Sequence, residues 1–446
     1  MVRPCRIALC PTRFPDMLSR RETEMRRYLL ADMDTGTCRF EPLPQPLAPL
    51  GGRALASFLA AQIPGSLCFA PGILAGCRAA SAGRCSVSCV SDTGAPDGSV
   101  LHSNAGGAFG YALASAGLPA VVIRGGKAAP TPAESFILLI RQGSASLEPC
   151  LLPCLGVADT MREMTARWPD AAALVTVGPA ALHSLPMASL EFSDSRLRPG
   201  GHAGGGAGAA LFHKGLRGIV VLGTKSDVPA ADPEGLKNAA RRFLSALKEL
   251  RGSIPASKGG CSPHCALGCH HKKDSTAPDG KSDRSGKGGA FKWPGFSEYW
   301  SCGDEAANDA NTRRFASLCD DLGADAFILA RIMMQAADNG LLEKGRADHA
   351  LAELEKLIHA PESSALYAPA MACTEKRGRK NLNEDVQDVI MDCLGICRFA
   401  ADAMLLAPET RDAVWDMVRC MHGLAPANAN DMAAAVLAVE HGPEHP

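Results

Sequence analysis

The sequence predicts an α+β protein whose first half is rich in β-strands and whose second half is mainly helical. Short apolar runs alternate with glycine turns over residues 26–225, a pattern typical of strands. Beyond residue 311, apolar residues recur at i, i+3 and i+4, which is typical of amphipathic helices. We therefore predict an N-terminal extension over 1–25, a β-rich domain over 26–225 and a helical region over 226–446.

The individual elements follow in order along the chain. The apolar run 28–32 leads into Asp34-Thr35-Gly36, a hairpin turn signal. The β-rich half predicts further strands at 67–70, 85–90, 120–124, 174–177 and 218–223, and helices at 53–61 and 109–116. The second half predicts helices at 234–250, 311–322, 325–339, 348–359, 383–392 and 411–421. The tract 272–289 has almost no apolar residue, which predicts a flexible loop.

Composition excludes several classes of function. The chain has 446 residues, of which 46% are hydrophobic and 21% charged, so it can bury a sizeable core. Lys and Arg number 46 against 47 Asp and Glu, which argues against a broad cationic surface for nucleic acid. No apolar run approaches the roughly 18 residues of a membrane span. The 18 cysteines, without a signal-peptide pattern, predict a cytoplasmic protein whose thiols are core residues or metal ligands.

A cysteine loop is the strongest local indication of a metal site. Cys261, Cys265 and Cys269 recur at intervals of four residues in a stretch that contains Gly and Pro. Iron–sulfur clusters use four thiolates, which are often three clustered and one distant. A zinc site is the alternative, because zinc accepts mixed ligands and histidines are adjacent at His264, His270 and His271.

Two segments in the helical half share the pattern Asp-x-x-Gly-apolar-Asp/Cys. One runs from Asp320 through Gly323 to Asp325, and the other from Asp392 through Gly395 to Cys397. Each follows an apolar-periodic helix, where glycine can end the helix and bring the backbone near a ligand. The flanking acid can accept hydrogen bonds from that ligand. Two copies of the pattern, one with Cys in place of Asp, indicate a shared function.

Together these motifs resemble the tungsten-dependent aldehyde:ferredoxin oxidoreductase family. The resemblance implies a [4Fe-4S] cluster held by Cys261, Cys265, Cys269 and Cys397. It also implies a tungsten or molybdenum cofactor with two pterins, bound through Asp320, Gly323, Asp325, Asp392 and Gly395. The β-rich domain is then a pterin-binding domain, and the helical region carries the cluster ligands.

Four segments of the first half resemble the family's cofactor-binding segments in the same order. Backbone N–H groups freed by glycines can cradle phosphate, and an arginine offers a planar fork to a pterin edge. The resemblance implies cofactor contacts from Arg53, Arg84, Asn104, Gly106, Gly107, Gly206, Gly208 and Lys214. Magnesium is a further cofactor that it implies.

The chain departs from the family at several positions. Gly204 stands where the family has Arg, and Trp300 where it has an active-site Glu. Arg314 and Ser317 occupy the places of a Glu-x-x-His that binds a metal between subunits, so the implied homodimer would lack that bridge. Only 67 positions separate Asp325 from Asp392, far fewer than in full-length relatives. We therefore interpret the chain as a shortened, divergent member.

The resemblance implies an enzyme that oxidises an aldehyde to a carboxylic acid. Electrons would leave through the cluster to ferredoxin or another redox protein. His102 and Glu298 are the candidate general bases. The first alternative is a catalytically degenerate member that acts as an electron-transfer or cofactor-carrying subunit. The second is a protein that binds only zinc.

Overall fold

The fold is described from a computed structural model of the chain. It describes residues 26–44, 47, 50–90, 100–126, 131, 134–150, 152–153, 155–223, 227–251, 260–267, 299–300, 305–375, 386–398, 400, 408–422 and 429–441. The predicted extension and the predicted loop 272–289 lie outside these residues. None of the described helices is both long enough and apolar enough to cross a membrane.

Two six-stranded mixed sheets form the first half of the chain. The first sheet has the strand order β2-β1-β6-β3-β4-β5, with β1 and β6 parallel and the other neighbours antiparallel. Its strands are β1 Arg27–Asp32, β2 Thr37–Pro42, β3 Leu67–Pro71, β4 Cys85–Val90, β5 Val100–Ala105 and β6 Val121–Arg124. Helices α1 Gly52–Gln62 and α2 Phe109–Ser115 connect them.

The second sheet repeats the topology of the first. Its order is β8-β7-β12-β9-β10-β11, and again only the pair β7 and β12 is parallel. The strands are β7 Phe136–Arg141, β8 Ser144–Pro149, β9 Ala171–Val177, β10 Leu190–Ser193, β11 Pro199–Ala203 and β12 Leu216–Leu222. Helices α3 Val157–Arg167, α4 Pro179–Leu182 and α5 Ala207–His213 join them.

The two sheets share one hydrophobic core. Phe69 of the first sheet, Phe109 of α2 and Phe192 of the second sheet meet with ring centroids 5.6–6.5 Å apart. All three are buried, and aromatic pairs at such separations stabilise a core beyond their buried area. This aromatic cluster therefore lies between the facing sides of the two sheets.

The second half of the chain is helical and covers both sheets. Its helices are α6 Pro233–Arg251, α7 Glu305–Leu322, α8 Ala326–Asp338, α9 Ala347–His359, α10 Tyr367–Glu375, α11 Val386–Leu394, α12 Pro408–His422 and α13 Ala429–His441. Helices α7 to α10 pack into the core shared by the sheets, whereas α6 and α11 to α13 pack with α1 against the other face of the first sheet. Helix α3 closes the outer face of the second sheet.

The predicted α+β class is confirmed, and several elements differ from the prediction. The sequence showed no internal repeat, yet both sheets follow the element order β-β-α-β-β-β-α-β when the short α4 is set aside. Strands β7 and β8, helix α3 and helix α13 were not predicted. Strand β7 is an apolar run without alternation, a pattern that does not distinguish a strand from a buried helix.

Candidate functional site

The first Asp-x-x-Gly motif docks on the second sheet. It spans the end of α7 and the start of α8, and Gly323 there has φ +65°, which L side chains rarely adopt. A Cβ on Gly323 would lie 2.6 Å from Gly178 N, so the two glycines permit a close backbone contact. Ser189 N donates to Gly323 O at 2.8 Å, and Asp325 N donates to Met187 O at 2.8 Å. The motif is thereby held against β9 and the turn before β10.

Asp325 connects this motif to the glycine segment before α5. One carboxylate oxygen caps α8 by accepting from Phe327 N at 3.0 Å and Ile328 N at 3.2 Å. The other oxygen accepts from Gly205 N at 3.3 Å. A Cβ on Gly204 would collide with this carboxylate. The departure from arginine to glycine at 204 therefore makes room for Asp325.

The second motif docks on the first sheet in the corresponding place. Gly395 follows α11 with φ +76°, and its Cβ would lie 2.8 Å from Gly72 Cα. Ile73 N donates to Cys393 O at 3.0 Å, and Arg84 N donates to Gly395 O at 3.1 Å. Gly72 directly follows β3 as Gly178 directly follows β9, and these strands occupy the same position in their sheets. Two copies of one motif thus meet two copies of one sheet.

Asp392 is held by a buried network of charged and polar groups. Its Oδ2 lies 3.1 Å from His102 Nε2 and 3.7 Å from Arg53 Nη1. Arg53 is fully buried and pairs with Glu440 of α13 through Nε to Oε1 at 2.9 Å and Nη2 to Oε2 at 2.5 Å. Ser57 Oγ donates to the same Oε1 at 2.7 Å. The bidentate pair fixes Arg53, which in turn lies against Asp392.

A cavity of about 180 Å³ lies between the two sheets beside both motifs. His102, which contacts Asp392, lines it from β5, and Gly205, whose N–H binds Asp325, lines it from the second sheet. The remaining lining residues are Val87, Cys89, Leu101, Ser103, Gly204, Ala207 and Ile328. Cofactor pockets are typically about 300–1,000 Å³. A cofactor with two pterins would therefore extend beyond this cavity.

Both ring nitrogens of His102 have partners inside the protein. Nε2 faces Asp392, and Nδ1 lies 3.3 Å from Ser88 Oγ. The other predicted base, Glu298, lies outside the described residues, as does Cys269. Of the two predicted bases, His102 is the one among the described residues, and it lines the cavity.

Three of the four predicted cluster cysteines lie in neighbouring segments, because Ser81 accepts from Cys397 N and binds the cysteine loop at His264 and Ala266. Cys261 and Cys265 share a side-chain hydrogen bond, and Cys397 is close enough to interact with Cys261 electrostatically. The hydrogen bond with Cys265, then burial, then repulsion from the other two thiols raises the pKa of Cys261 well above its ordinary value. Among the described residues, no three His, Cys, Asp or Glu side chains are grouped closely enough to hold a metal ion. The fourth thiol, Cys269, is not among them.

The neighbouring Cys393 differs from Cys397. Its side chain is fully buried, and burial raises its pKa to about 12. It packs in the core between α1 and α11, whereas Cys397 is only partly buried. Cys393 is thus a core thiol, and the two cysteines of the second motif have different surroundings.

Arg84 and Asn104 lie beside the cysteine loop. Arg84 donates from Nε to Asn104 Oδ1 and from Nη2 to Asn104 O, the latter at 2.7 Å. A Cβ on Gly106 would lie 3.6 Å from Arg84 Nη1 and 3.7 Å from Cys261 Sγ. Gly106 therefore stands between the arginine and the thiol, and these three predicted site residues are neighbours of Cys261.

The remaining predicted glycines serve close packing. A Cβ on Gly107 would lie 2.7 Å from Ser193 O, and one on Gly208 would overlap Ser189 O. Gly206 is the N-cap residue of α5, and Lys214 is the C-cap residue at the opposite end of that helix. Lys214 is therefore separated from the cavity by the length of α5.

His264, a candidate ligand of the alternative zinc site, contacts Asp227 and Tyr111. Its Nε2 lies 3.2 Å from Asp227 Oδ1, and its ring packs against Tyr111 with centroids 5.8 Å apart. Tyr111 Oη donates to the same Asp227 oxygen at 2.5 Å. His270 and His271 lie outside the described residues. The ring of His264 thus anchors the cysteine loop to residue 227.

Comparison with known proteins identifies the first half of the chain. Residues 28–223 match the family model described as the aldehyde ferredoxin oxidoreductase N-terminal domain. The chain carries that domain. The match bears out the resemblance predicted from the motifs over residues 28–223. A search of curated proteins finds no significant match.

One solved structure shares the fold. It is titled as the active site complex BamBC of benzoyl coenzyme A reductase in complex with 1,5-dienoyl-CoA. The TM-score is 0.58 and the sequence identity 19%, over 81% of this chain and 64% of that one. The chain therefore spans less than two thirds of the length of that structure, and the likeness shows a shared fold.

Trp300, at the position where the resemblance implies an active-site glutamate, is part of the core. Trp300 is fully buried, and its ring packs against Tyr299 and Phe315. Its Nε1 donates to Thr312 Oγ1 at 2.9 Å. Trp300 thus packs the segment before α7 against that helix. The position therefore holds a core aromatic residue and not an acid.

Sequence reasoning missed Glu440 and Ser81. Glu440 follows Val436 by four residues on the buried face of α13, so an acid on an apolar stripe was the available signal. Ser81 carried no signal, because its role depends on backbone conformation. Both contact segments that hold predicted site residues.

Proposed function

We propose that the chain is an oxidoreductase that binds a two-pterin tungsten or molybdenum cofactor between its sheets, beside a [4Fe-4S] cluster. One observation carries this proposal. One carboxylate from each motif contacts a residue that lines a single cavity, Asp392 through His102 and Asp325 through Gly205. Each motif docks on its own copy of the sheet, and each contributes one acid from a different place in the pattern, Asp325 as its sixth residue and Asp392 as its first. We propose that each of these acids serves one half of a two-pterin cofactor.

Named residues would hold each group. Asp325 and Asp392 are the proposed hydrogen-bond acceptors for the pterins, and Arg84 is the proposed donor between the pterin and the cluster. Cys261, Cys265 and Cys397 are proposed as cluster ligands with Cys269 as the fourth. The chemistry of the donors fits, because iron–sulfur clusters take thiolates, Cys261 and Cys265 share a hydrogen bond, and Cys397 lies near enough to Cys261 to interact electrostatically.

The proposed reaction is RCHO + H₂O → RCOOH + 2H⁺ + 2e⁻. When bound, the pterin-held metal supplies two-electron oxidation, and the cluster supplies single-electron transfer to ferredoxin or another redox protein of the cytoplasm. The protein's own residues handle the protons. In the neutral His102 ring, Nε2–H donates to Asp392 and Nδ1 accepts, so we propose that Nδ1 takes a proton through the Ser88 hydroxyl.

Metal analysis of anaerobically purified protein tests the proposal. We expect about four iron atoms and one tungsten or molybdenum atom per chain, with iron lost in Cys397→Ser. Zinc alone, without iron or tungsten, overturns both the cofactor and the cluster assignment. Iron without tungsten or molybdenum overturns the cofactor assignment and leaves an electron-transfer protein.

A second candidate is an electron-transfer or cofactor-carrying subunit without aldehyde oxidation. The burial of Trp300 in the core favours it, because the corresponding acid of the family is absent. Aldehyde-dependent reduction of a viologen dye separates the two candidates. If the metal-loaded chain reduces the dye only when an aldehyde is present, the result supports aldehyde oxidation. If the loaded chain exchanges electrons with the dye but short and aromatic aldehydes do not change the rate, the result supports an electron-transfer subunit.

A further inference from the structure

Ser81 lies between the two segments that carry the described cluster thiols. It sits in the connection between β3 and β4, with 2% of its surface exposed. Its N–H donates to His264 O at 3.0 Å, and its Oγ accepts from Ala266 N at 3.2 Å. Its carbonyl oxygen accepts from Cys397 N at 2.9 Å. Two of its polar groups thus bind the cysteine loop, and the third binds the segment of the distant cysteine.

The backbone of Ser81 adopts an uncommon conformation to make these contacts. Its φ is +58°, in the left-handed region that residues other than glycine rarely enter. Such a conformation persists when the surroundings determine it more strongly than the residue's own preference. Here the three hydrogen bonds of Ser81 to two separate segments hold its backbone in this conformation.

Further close packing ties the same connection to both thiol segments. A Cβ on Gly83 would lie 2.9 Å from Ser262 Cβ of the cysteine loop. On the other side, Arg84 N donates to Gly395 O at 3.1 Å. The connection therefore contacts the loop and the second motif at successive residues, with Ser81 binding both.

We propose that Ser81 is a positioning residue that holds Cys397 against the Cys261–Cys265 loop before any metal group binds. The inference rests on the proposed cluster for its purpose, but thiol proximity is measurable without metal. Without the Ser81 hydroxyl, the loop loses its bond at Ala266 and its thiols sample wider separations from Cys397. The Ser81 hydroxyl thus restricts the motion of the cysteine loop, so that less conformational entropy is lost when the thiols bind a cluster.

Ser184 provides a matched control. Its φ is +53°, and its Oγ lies 2.7 Å from His213 Nε2, in a turn after α4 that contains no cluster cysteine. Ser81→Gly and Ser184→Gly remove the same hydroxyl and relieve the same backbone conformation. Ser81→Ala removes the hydroxyl while it keeps a Cβ. Only the Ser81 variants should change the thiol geometry.

The experiment treats metal-free, fully reduced chain with the thiol-bridging reagent dibromobimane and quantifies bridged peptides by mass spectrometry. We expect the bridge from Cys397 to Cys261 or Cys265 to fall at least threefold in Ser81→Gly and Ser81→Ala, and to stay at the wild-type yield in Ser184→Gly. An unchanged yield in the Ser81 variants overturns the proposal. So does an equal fall in Ser184→Gly, because the effect would then be a general loosening.

Reconstitution with iron and sulfide separates this proposal from the proposed function. We expect Ser81→Gly to bind less iron per chain than wild type and to show a shifted reduction potential in the fraction that binds. If wild type binds no iron while the bridging yield still depends on Ser81, the cluster assignment fails and the positioning role stands. If Ser81→Gly binds four irons at the wild-type potential, the positioning role fails and the cluster stands.

Discussion

The ring of His102 and the carboxylate of Asp392 meet at 3.1 Å, between Nε2 and Oδ2, although 290 positions separate them. His102 belongs to the first sheet, and Asp392 belongs to the helical half of the chain. Arg53 lies on the same carboxylate oxygen at 3.7 Å and is itself fixed by Glu440. The acid of the second motif is thus oriented by residues from three distant parts of the chain.

Glu440 should be required for stability because it neutralises a buried arginine. Neither side chain of the Arg53–Glu440 pair is exposed to solvent. We expect Glu440→Gln to lower the free energy of unfolding by about 3–5 kcal/mol, since it leaves the Arg53 charge buried beside a neutral amide. Asp348→Asn breaks the ion pair with Arg314, where the aspartate is 87% exposed, and should change stability by less than about 1 kcal/mol. Equal effects in urea unfolding would contradict the role of burial.

Replacing either motif glycine, Gly323 or Gly395, by alanine should destabilise the protein through a steric clash as well as through the unfavourable φ. In Gly395→Ala the new Cβ would lie 2.8 Å from Gly72 Cα. Gly340 has φ +73° but open space around its Cβ position, so Gly340→Ala measures the conformational cost alone, about 1–2 kcal/mol. We expect Gly395→Ala to destabilise the protein clearly more than Gly340→Ala in chemical denaturation. If the two variants unfold at the same midpoint, the backbone contact with Gly72 is not tight in solution.

Cys397 and Cys393 should differ in their effect on iron. We expect Cys397→Ser to lose most of the iron and the visible absorbance of a reconstituted sample, since Cys397 is a proposed cluster ligand whose thiol lies near enough to Cys261 to interact electrostatically. Cys393→Ser should retain both, because that thiol is buried in the core among α1 and α11. Iron retained in Cys397→Ser, or lost only in Cys393→Ser, would show that the distant ligand is misassigned.

Protonation of Asp32 should destabilise the folded protein at acidic pH. The hydrogen bonds from Arg124 to its Oδ2, at 2.9 and 2.6 Å, are the largest cause that lowers the pKa of this carboxyl. A carboxyl whose folded pKa lies below its unfolded value of about 3.9 adds stability above that pH. This contribution is lost as pH falls through the lower folded pKa. Urea midpoints at pH 6, 4 and 3 should therefore fall less steeply in Asp32→Asn than in wild type, and parallel slopes would contradict this.

The sequence by itself determined the fold class, the order of most elements and the resemblance to the aldehyde:ferredoxin oxidoreductase family. Helical periodicity reports which face of a helix is buried, so the helix at Ala326–Asp338 was readable without a structure. The strand at Arg27–Asp32 was readable as a short run before a turn signal, although its last four residues are all buried. The motifs were readable because their chemistry depends on local spacing: Asp392, Gly395 and Cys397 lie within one helix end. What spacing could not give was the partner of each motif.

Only the tertiary structure decided how these motifs are used. The repeated sheet topology was invisible in sequence, since hydrogen-bonded backbones preserve an architecture while side chains diverge. Glu440, Ser81 and Arg53 gained their roles from contacts between segments hundreds of residues apart or from a left-handed backbone. Local patterns encode burial and turn chemistry, whereas pairings across the chain follow from packing the whole core at once. That packing brings His102, the partner of Asp392, and Gly205, the partner of Asp325, to one cavity.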